Sequence, residues 1–77
     1  MIHGNEYLST EFVNKINDDC KQVNELLGRE AVVLKNTKGD LNGCVDVWFD
    51  NEQIYQPAED IEAEAYLEGM LQVLKQK

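Results

Sequence analysis

The sequence has few of the residues that catalytic and metal sites commonly require. It contains one histidine, one proline and two cysteines in 77 residues. Neither Cys20 nor Cys44 has a histidine nearby in the sequence that would activate its thiol. The Cys/His pairs of zinc sites are missing, and residues 40–43 depart from the pattern of a calcium-binding loop. We therefore expect no enzyme activity, no cofactor and no metal site.

Long hydrophobic runs are also missing. No apolar run approaches the roughly 20 residues that a membrane helix needs, and residues 1–6 show neither the basic nor the apolar region of a signal peptide. These features predict a cytoplasmic protein whose cysteines stay reduced. With 43% hydrophobic and 29% charged residues, the chain has the composition of a globular protein, and its length predicts a single domain over residues 1–77.

Positive charge is scarce in the second half of the chain. Residues 1–38 carry six acidic and five basic side chains, whereas residues 39–77 carry nine acidic and two basic ones, and no Lys or Arg occurs between residues 39 and 74. Direct binding of nucleic acid or of an anionic membrane depends on Lys and Arg. The net charge of -8 therefore excludes those partners and favours a basic protein.

Two segments show the periodicity of amphipathic helices. In the first, Ser9 suits an N-cap and Gly28 suits the position after the last turn, which predicts a helix over residues 9–27. In the second, Pro57 suits a first helical position and acidic residues follow it, which predicts a helix over residues 57–75. Gly69 costs this second helix about 1 kcal/mol. Together with Ala65, four residues earlier, it would let another backbone approach closely.

Between the helices, three short segments have the composition of β-strands: residues 31–35, 44–49 and 53–56. A glycine-containing loop at 36–43 and a turn at 50–52 connect them, and such short connections favour antiparallel neighbours. We therefore predict an α+β fold in the order α-β-β-β-α. Its three-stranded antiparallel meander forms one layer, and both helices pack on one face of that sheet.

The central strand determines which side chains face outward. Alternate residues of a strand face opposite ways, so Val45 and Val47 share one face while Asp46 and Trp48 share the other. The opposite register would bury the Asp46 carboxylate, which is expensive unless the charge is paired. We therefore expect Trp48 and Tyr55 to lie outward, on a sheet face that neither helix covers. An exposed tryptophan in such a position is typical of an interface anchor.

Carboxylates in the second helix repeat at a spacing that costs energy. Asp60 and Glu64, and then Glu64 and Glu68, carry the same sign four residues apart. Most charge runs only keep a surface soluble. A chain that accepts this repulsion in one half, while balancing its charges in the other, instead indicates that the negative field has a use.

In its size, its acidity and its α-β-β-β-α order, the chain resembles small phage-encoded inhibitors, including some anti-CRISPR proteins that occupy nucleic-acid grooves. The resemblance covers the architecture and carries over no residues. It implies an inhibitor that presents nucleic-acid-like charge.

We therefore predict a small acidic protein-binding module that inhibits or regulates a basic, nucleic-acid-handling partner by occupying its Lys/Arg groove. The alternative is a homodimeric structural or assembly module that pairs through the uncovered sheet face around Trp48. Two aromatic anchors and eight carboxylates are expected to contact a partner: Trp48 and Tyr55, with Asp46, Asp50, Glu52, Glu59, Asp60, Glu62, Glu64 and Glu68.

Overall fold

The fold is the predicted α+β arrangement of two helices and an antiparallel sheet. The structure, a computed structural model, describes residues 1–37, 39, 43–54 and 58–76. Its elements follow the order α1 (Thr10–Leu27), β1 (Val32–Asn36), β2 (Cys44–Phe49), β3 (Glu52–Gln53), β4 (Ala58–Glu59) and α2 (Asp60–Lys75).

Helix α1 has the ends that its sequence predicts. Ser9 adopts an extended backbone conformation, and its side-chain oxygen accepts a hydrogen bond from the Phe12 N–H at 3.2 Å. That bond satisfies one of the amide groups that the first turn leaves without a helical partner. At the other end, Gly28 has φ +73°, a left-handed conformation that glycine adopts without the steric cost of a Cβ.

Strand β2 lies at the centre of the sheet, as predicted. It pairs antiparallel with β1, with Leu34 opposite Val47, and with β3, with Phe49 opposite Glu52. The β2–β3 turn is tighter than expected, because only Asp50 (φ +49°) and Asn51 (φ +69°) connect the two strands. Two consecutive positive φ angles are the signature of a type I′ hairpin turn.

The segment before α2 differs from the prediction. Ala58 and Glu59 pair with Val45 and Cys44 of β2 and form a fourth short strand. The helix therefore begins at Asp60 and not at residue 57, because pairing with the sheet competes with helix formation at these two residues. The third strand, predicted at 53–56, is observed as Glu52–Gln53, and Ile54 lies just after it. Residues 55 and 56 of that prediction, and Pro57, lie outside the described residues.

The core lies between the helices and one face of the sheet. Val45 and Val47 of β2 are fully buried there, together with Ile16 and Val23 of α1 and Leu67 of α2. The register inferred from the alternation of β2 is therefore the observed one. Both helices contribute to this single core, and the opposite face of β2 carries Trp48.

Two asparagine side chains of α1 hydrogen-bond to the backbone of other segments. The Asn24 amide donates to the Val32 carbonyl at 3.0 Å and accepts from the Val32 N–H at 2.8 Å. Asn17 makes the same two-way contact with the backbone of Ile2, at 3.1 Å in each direction. Each side-chain amide thus bonds both the N–H and the C=O of one residue, as a paired β-strand would. Asn24 in this way occupies part of the outer edge of β1.

Candidate functional site

Two of the predicted partner-binding carboxylates are committed to a contact between the helices. The ammonium of Lys15, on α1, lies 2.6 Å from Glu68 Oε1 and 3.1 Å from Glu64 Oε1, both on α2. It also lies 3.1 Å from Asp19 Oδ2. Hydrogen bonds to these three carboxylates raise the pKa of Lys15 well above its ordinary value, and the hydrogen bond to Lys15 lowers that of Glu68. The repulsion expected within α2 is therefore offset by a cation from α1.

A second ion pair accounts for another predicted residue. Arg29 Nη2 lies 2.7 Å from Asp50 Oδ2, and the Arg29 guanidinium stands 5.8 Å from the centre of the Phe49 ring. Asp50 is thus partly neutralised beside the β2–β3 turn. Glu52 follows in β3, is exposed and makes no ion pair with any described residue. It lies at the far end of β2 from the remaining carboxylates.

The remaining predicted carboxylates gather around the Cys44 thiol. Cys44 stands opposite Glu59 in the β2–β4 pairing, and α2 begins at the next residue, Asp60. The pKa of the thiol is raised by burial first, and then by the negative charges of Glu59, Glu62, Asp46 and Asp60. A raised pKa keeps the thiol protonated and unreactive at neutral pH. We refer to Asp46, Glu59, Asp60 and Glu62 as the Cys44 acidic cluster.

Three members of the Cys44 acidic cluster have no cationic partner within the described part of the chain: Glu59, Asp60 and Glu62. Asp60 accepts a hydrogen bond from the Ile61 N–H at 2.8 Å, which stabilises the first turn of α2 but leaves its charge in place. Asp46 is half-buried and accepts a 2.8 Å hydrogen bond from the Thr37 hydroxyl. Glu59, Asp60 and Glu62 can attract Lys or Arg of another molecule, since no described cation pairs with them.

Trp48 lies on the outer sheet face, as expected, but it is half-buried and not bare. The Lys35 ammonium stands 4.1 Å from the centre of its ring, a cation–π distance. Lys35 is also opposite Asp46 in the β1–β2 pairing. The indole Nε1 is buried and has no hydrogen-bond partner in the described structure. Tyr55, the other predicted anchor, lies outside the described residues.

Two surfaces were not identified as sites from the sequence. One is a cleft of about 390 Å³ between α1 and β1, in which the Cys20 thiol donates a 3.3 Å hydrogen bond to the Val32 carbonyl. Burial raises the pKa of this thiol also. The other is a shallow groove on the outward face of α2, lined by Ala65, Tyr66, Gly69, Met70 and Val73. Its one sequence signal is the Ala65/Gly69 spacing.

No match is found for this chain among family models, curated proteins or solved structures. The geometry must therefore carry any assignment of function. Among the residues described here, no three His, Cys, Asp or Glu side chains are arranged to hold a metal ion. No described helix is both long and apolar enough to cross a membrane. What the geometry does provide is an uncompensated negative surface beside an exposed apolar groove.

Proposed function

We propose that this chain is a small cytoplasmic protein-binding module that inhibits or regulates a basic, nucleic-acid-handling partner. Its carboxylates would take the place of phosphates in a groove lined by Lys and Arg. The observation that carries this proposal is the Cys44 acidic cluster. Glu59 stands opposite Cys44 in the β2–β4 pairing, Asp60 and Glu62 follow in the first turn of α2, and none of these three faces a cation in the described structure.

The distribution of ion pairs narrows the proposed surface. Glu64 and Glu68 are bound to Lys15, and Asp50 is bound to Arg29, so these three contribute less field than their formal charge suggests. The field that a partner would meet is centred on β4 and the first turn of α2. The carboxylates there make no ion pair with Lys15 or Arg29. They therefore keep the negative charge that a binding site for a basic partner requires.

The second candidate, a homodimer through the outer sheet face, is favoured by one observation. Trp48 lies on that face, half-exposed, next to a cavity of about 260 Å³ that Val33 also lines. Against it, the Lys35 ammonium already lies over the indole ring, so a second copy would have to displace or desolvate a cation. The acidic surface therefore ranks first.

The proposal is tested by affinity capture with a matched pair of triple variants. In the first, Glu59→Gln, Asp60→Asn and Glu62→Gln remove three charges from the Cys44 acidic cluster. In the control, Glu6→Gln, Glu25→Gln and Glu30→Gln remove three exposed charges elsewhere. Both variants change the net charge equally, so any difference between them reports on position.

Wild type and control are expected to retain a basic, nucleic-acid-handling protein from a nuclease-treated lysate, and the cluster variant is expected to lose it. Nuclease treatment excludes a bridge made by nucleic acid. Equal capture by the cluster variant would contradict the proposal. Recovery of this chain's own copies alone would favour the homodimer.

A further inference from the structure

The outward face of α2 carries apolar residues that the fold does not cover. Ile61, Ala65, Gly69 and Val73 follow one another at four-residue spacing, and Ile61 and Val73 are 75% and 60% exposed. Four-residue spacing places side chains in a row along one side of a helix. Tyr66 and Met70 flank this row and complete the groove.

Gly69 has no evident role in the fold of this chain. A Cβ built on Gly69 would meet no atom within 4 Å, so packing within the molecule does not require a glycine. A glycine inside a helix nevertheless costs about 1 kcal/mol relative to alanine. What the missing Cβ does provide is room for the surface of another helix to approach closely.

The groove is bordered by uncompensated negative charge at its N-terminal end. Glu62 is exposed and lies one helical turn before Ala65 and Tyr66, and Glu59 and Asp60 precede it. None of these three carboxylates has a cationic partner in the described ranges. A second copy of α2 would bring further carboxylates to the interface. A helix that carries Lys or Arg beside an apolar face would instead neutralise those already present.

We propose that the groove on α2 binds a basic amphipathic helix. The apolar face of that helix lies over Gly69 and Val73, and its Lys or Arg side chains reach Glu59, Asp60 and Glu62. From Ala65 to Val73 the groove spans about 12 Å, which corresponds to about two turns of a docked helix. This inference rests on the proposed function, because it names the element by which the basic partner is held.

The test uses three fluorescently labelled synthetic peptides of about 18 residues. The first places leucine on one helical face and lysine on the other. The second has the same composition in scrambled order, and the third replaces every lysine of the first with glutamate. Anisotropy titrations at low salt compare the peptides. The amphipathic lysine peptide is expected to bind at least about tenfold more tightly than the scrambled one, and the glutamate peptide is expected not to bind.

Substitutions at Gly69 separate docking from folding. Gly69→Ala is expected to stabilise the protein, because alanine favours a helix. The same substitution is expected to weaken binding of the amphipathic lysine peptide severalfold. Gly69→Leu fills the groove and is expected to weaken binding of that peptide about tenfold or more. Asn14→Ala, at an exposed position of α1, is the control: it also improves helix propensity but leaves binding unchanged.

The outcomes distinguish this inference from the proposed function. Equal binding of the amphipathic and scrambled lysine peptides, with no effect of Gly69→Leu, would overturn the groove and leave the acidic surface standing. Failure of both lysine peptides to bind at low salt would overturn both proposals. A dimer in sedimentation that Gly69→Leu dissociates would show that a second copy occupies the groove, and would also overturn the inference.

Discussion

Replacement of Lys15 by methionine removes the cation that links the two helices. Its ammonium contacts Asp19 at 3.1 Å, Glu64 at 3.1 Å and Glu68 at 2.6 Å. Methionine keeps the unbranched stem and a similar helix propensity, so the substitution removes the charge with little change in packing. The three carboxylates would then stand together without a partner.

The expected cost comes mainly from Asp19. This residue is only 7% exposed, and removing one partner of a buried ion pair costs about 3–5 kcal/mol, because the other charge is left unpaired. The Lys15 side chain, however, is 46% exposed, so solvent screens part of the interaction. We expect Lys15→Met to lower the free energy of unfolding by about 2 kcal/mol. In a domain this small, that corresponds to a fall of about 10 °C in Tm.

The pH dependence follows from the direction of the pKa shifts. Lys15 lowers the pKa of Glu68 below its ordinary value of 4.5. The stability that Glu68 gains is therefore present above pH 4.5 and is lost as the pH falls through its lower folded-state pKa. The raised pKa of Lys15 keeps it charged throughout this range. The difference between wild type and Lys15→Met should thus be largest near neutral pH and should shrink in acid.

Urea denaturation of wild type, Lys15→Met and Lys21→Met at neutral and acid pH measures these differences in the free energy of unfolding. Lys21 is an exposed residue of the same helix with no ion pair in the described structure, so its variant controls for the loss of one positive charge. Lys21→Met is expected to stay within about 0.5 kcal/mol of wild type. An equal loss in both variants, or a Lys15→Met loss that does not shrink in acid, would refute the ion-pair account.

Three further substitutions test separate parts of the structure. Asn24→Ala should lower the free energy of unfolding by about 1–3 kcal/mol, because the Val32 N–H loses its partner and the Val32 C=O keeps only the weaker hydrogen bond from the Cys20 thiol; urea denaturation checks it, and a neutral result would count against the bidentate contact. Asn51→Gly should raise the Tm by a few degrees, because glycine adopts the positive φ of a type I′ turn more readily; a lower Tm in calorimetry would contradict the assigned turn. Trp48→Ala should cost about 1–2 kcal/mol, since the indole is half-buried under Lys35; a loss of about 3–5 kcal/mol in denaturant would instead indicate a core tryptophan.

The parts of the fold that the sequence predicted correctly depend on local signals. The ends of α1 follow from Ser9 and Gly28, whose side-chain and backbone chemistry acts within one turn. The alternation of β2 indicates its buried face, because burial of Asp46 in place of Val45 and Val47 would be costly. By contrast, the start of α2 was predicted three residues too early. Pairing of Ala58 and Glu59 with β2 is a long-range interaction that local propensity does not report.

The candidate site was less predictable than the fold, for the same reason. Sequence alone identified an excess of carboxylates, but not which of them are neutralised. Glu68 meets Lys15 across 53 residues of chain, and Asp50 meets Arg29 across 21. Only the tertiary structure separates these residues from Glu59 and Glu62. The contact between the Lys35 ammonium and the Trp48 ring was not predicted for the same reason, although the two strands were expected to pair.

The most direct test of the acidic-surface account is the rate at which the captured partner associates with this protein as a function of salt. Stopped-flow mixing measures this rate at salt concentrations between about 50 and 500 mM. The Debye length falls about threefold over that range. If the uncompensated charges of Glu59, Asp60 and Glu62 guide the encounter, the association rate of wild type falls steeply with salt, and that of the cluster variant starts low and changes little. A rate that is independent of salt, or one that the cluster variant shares with wild type, would contradict the account.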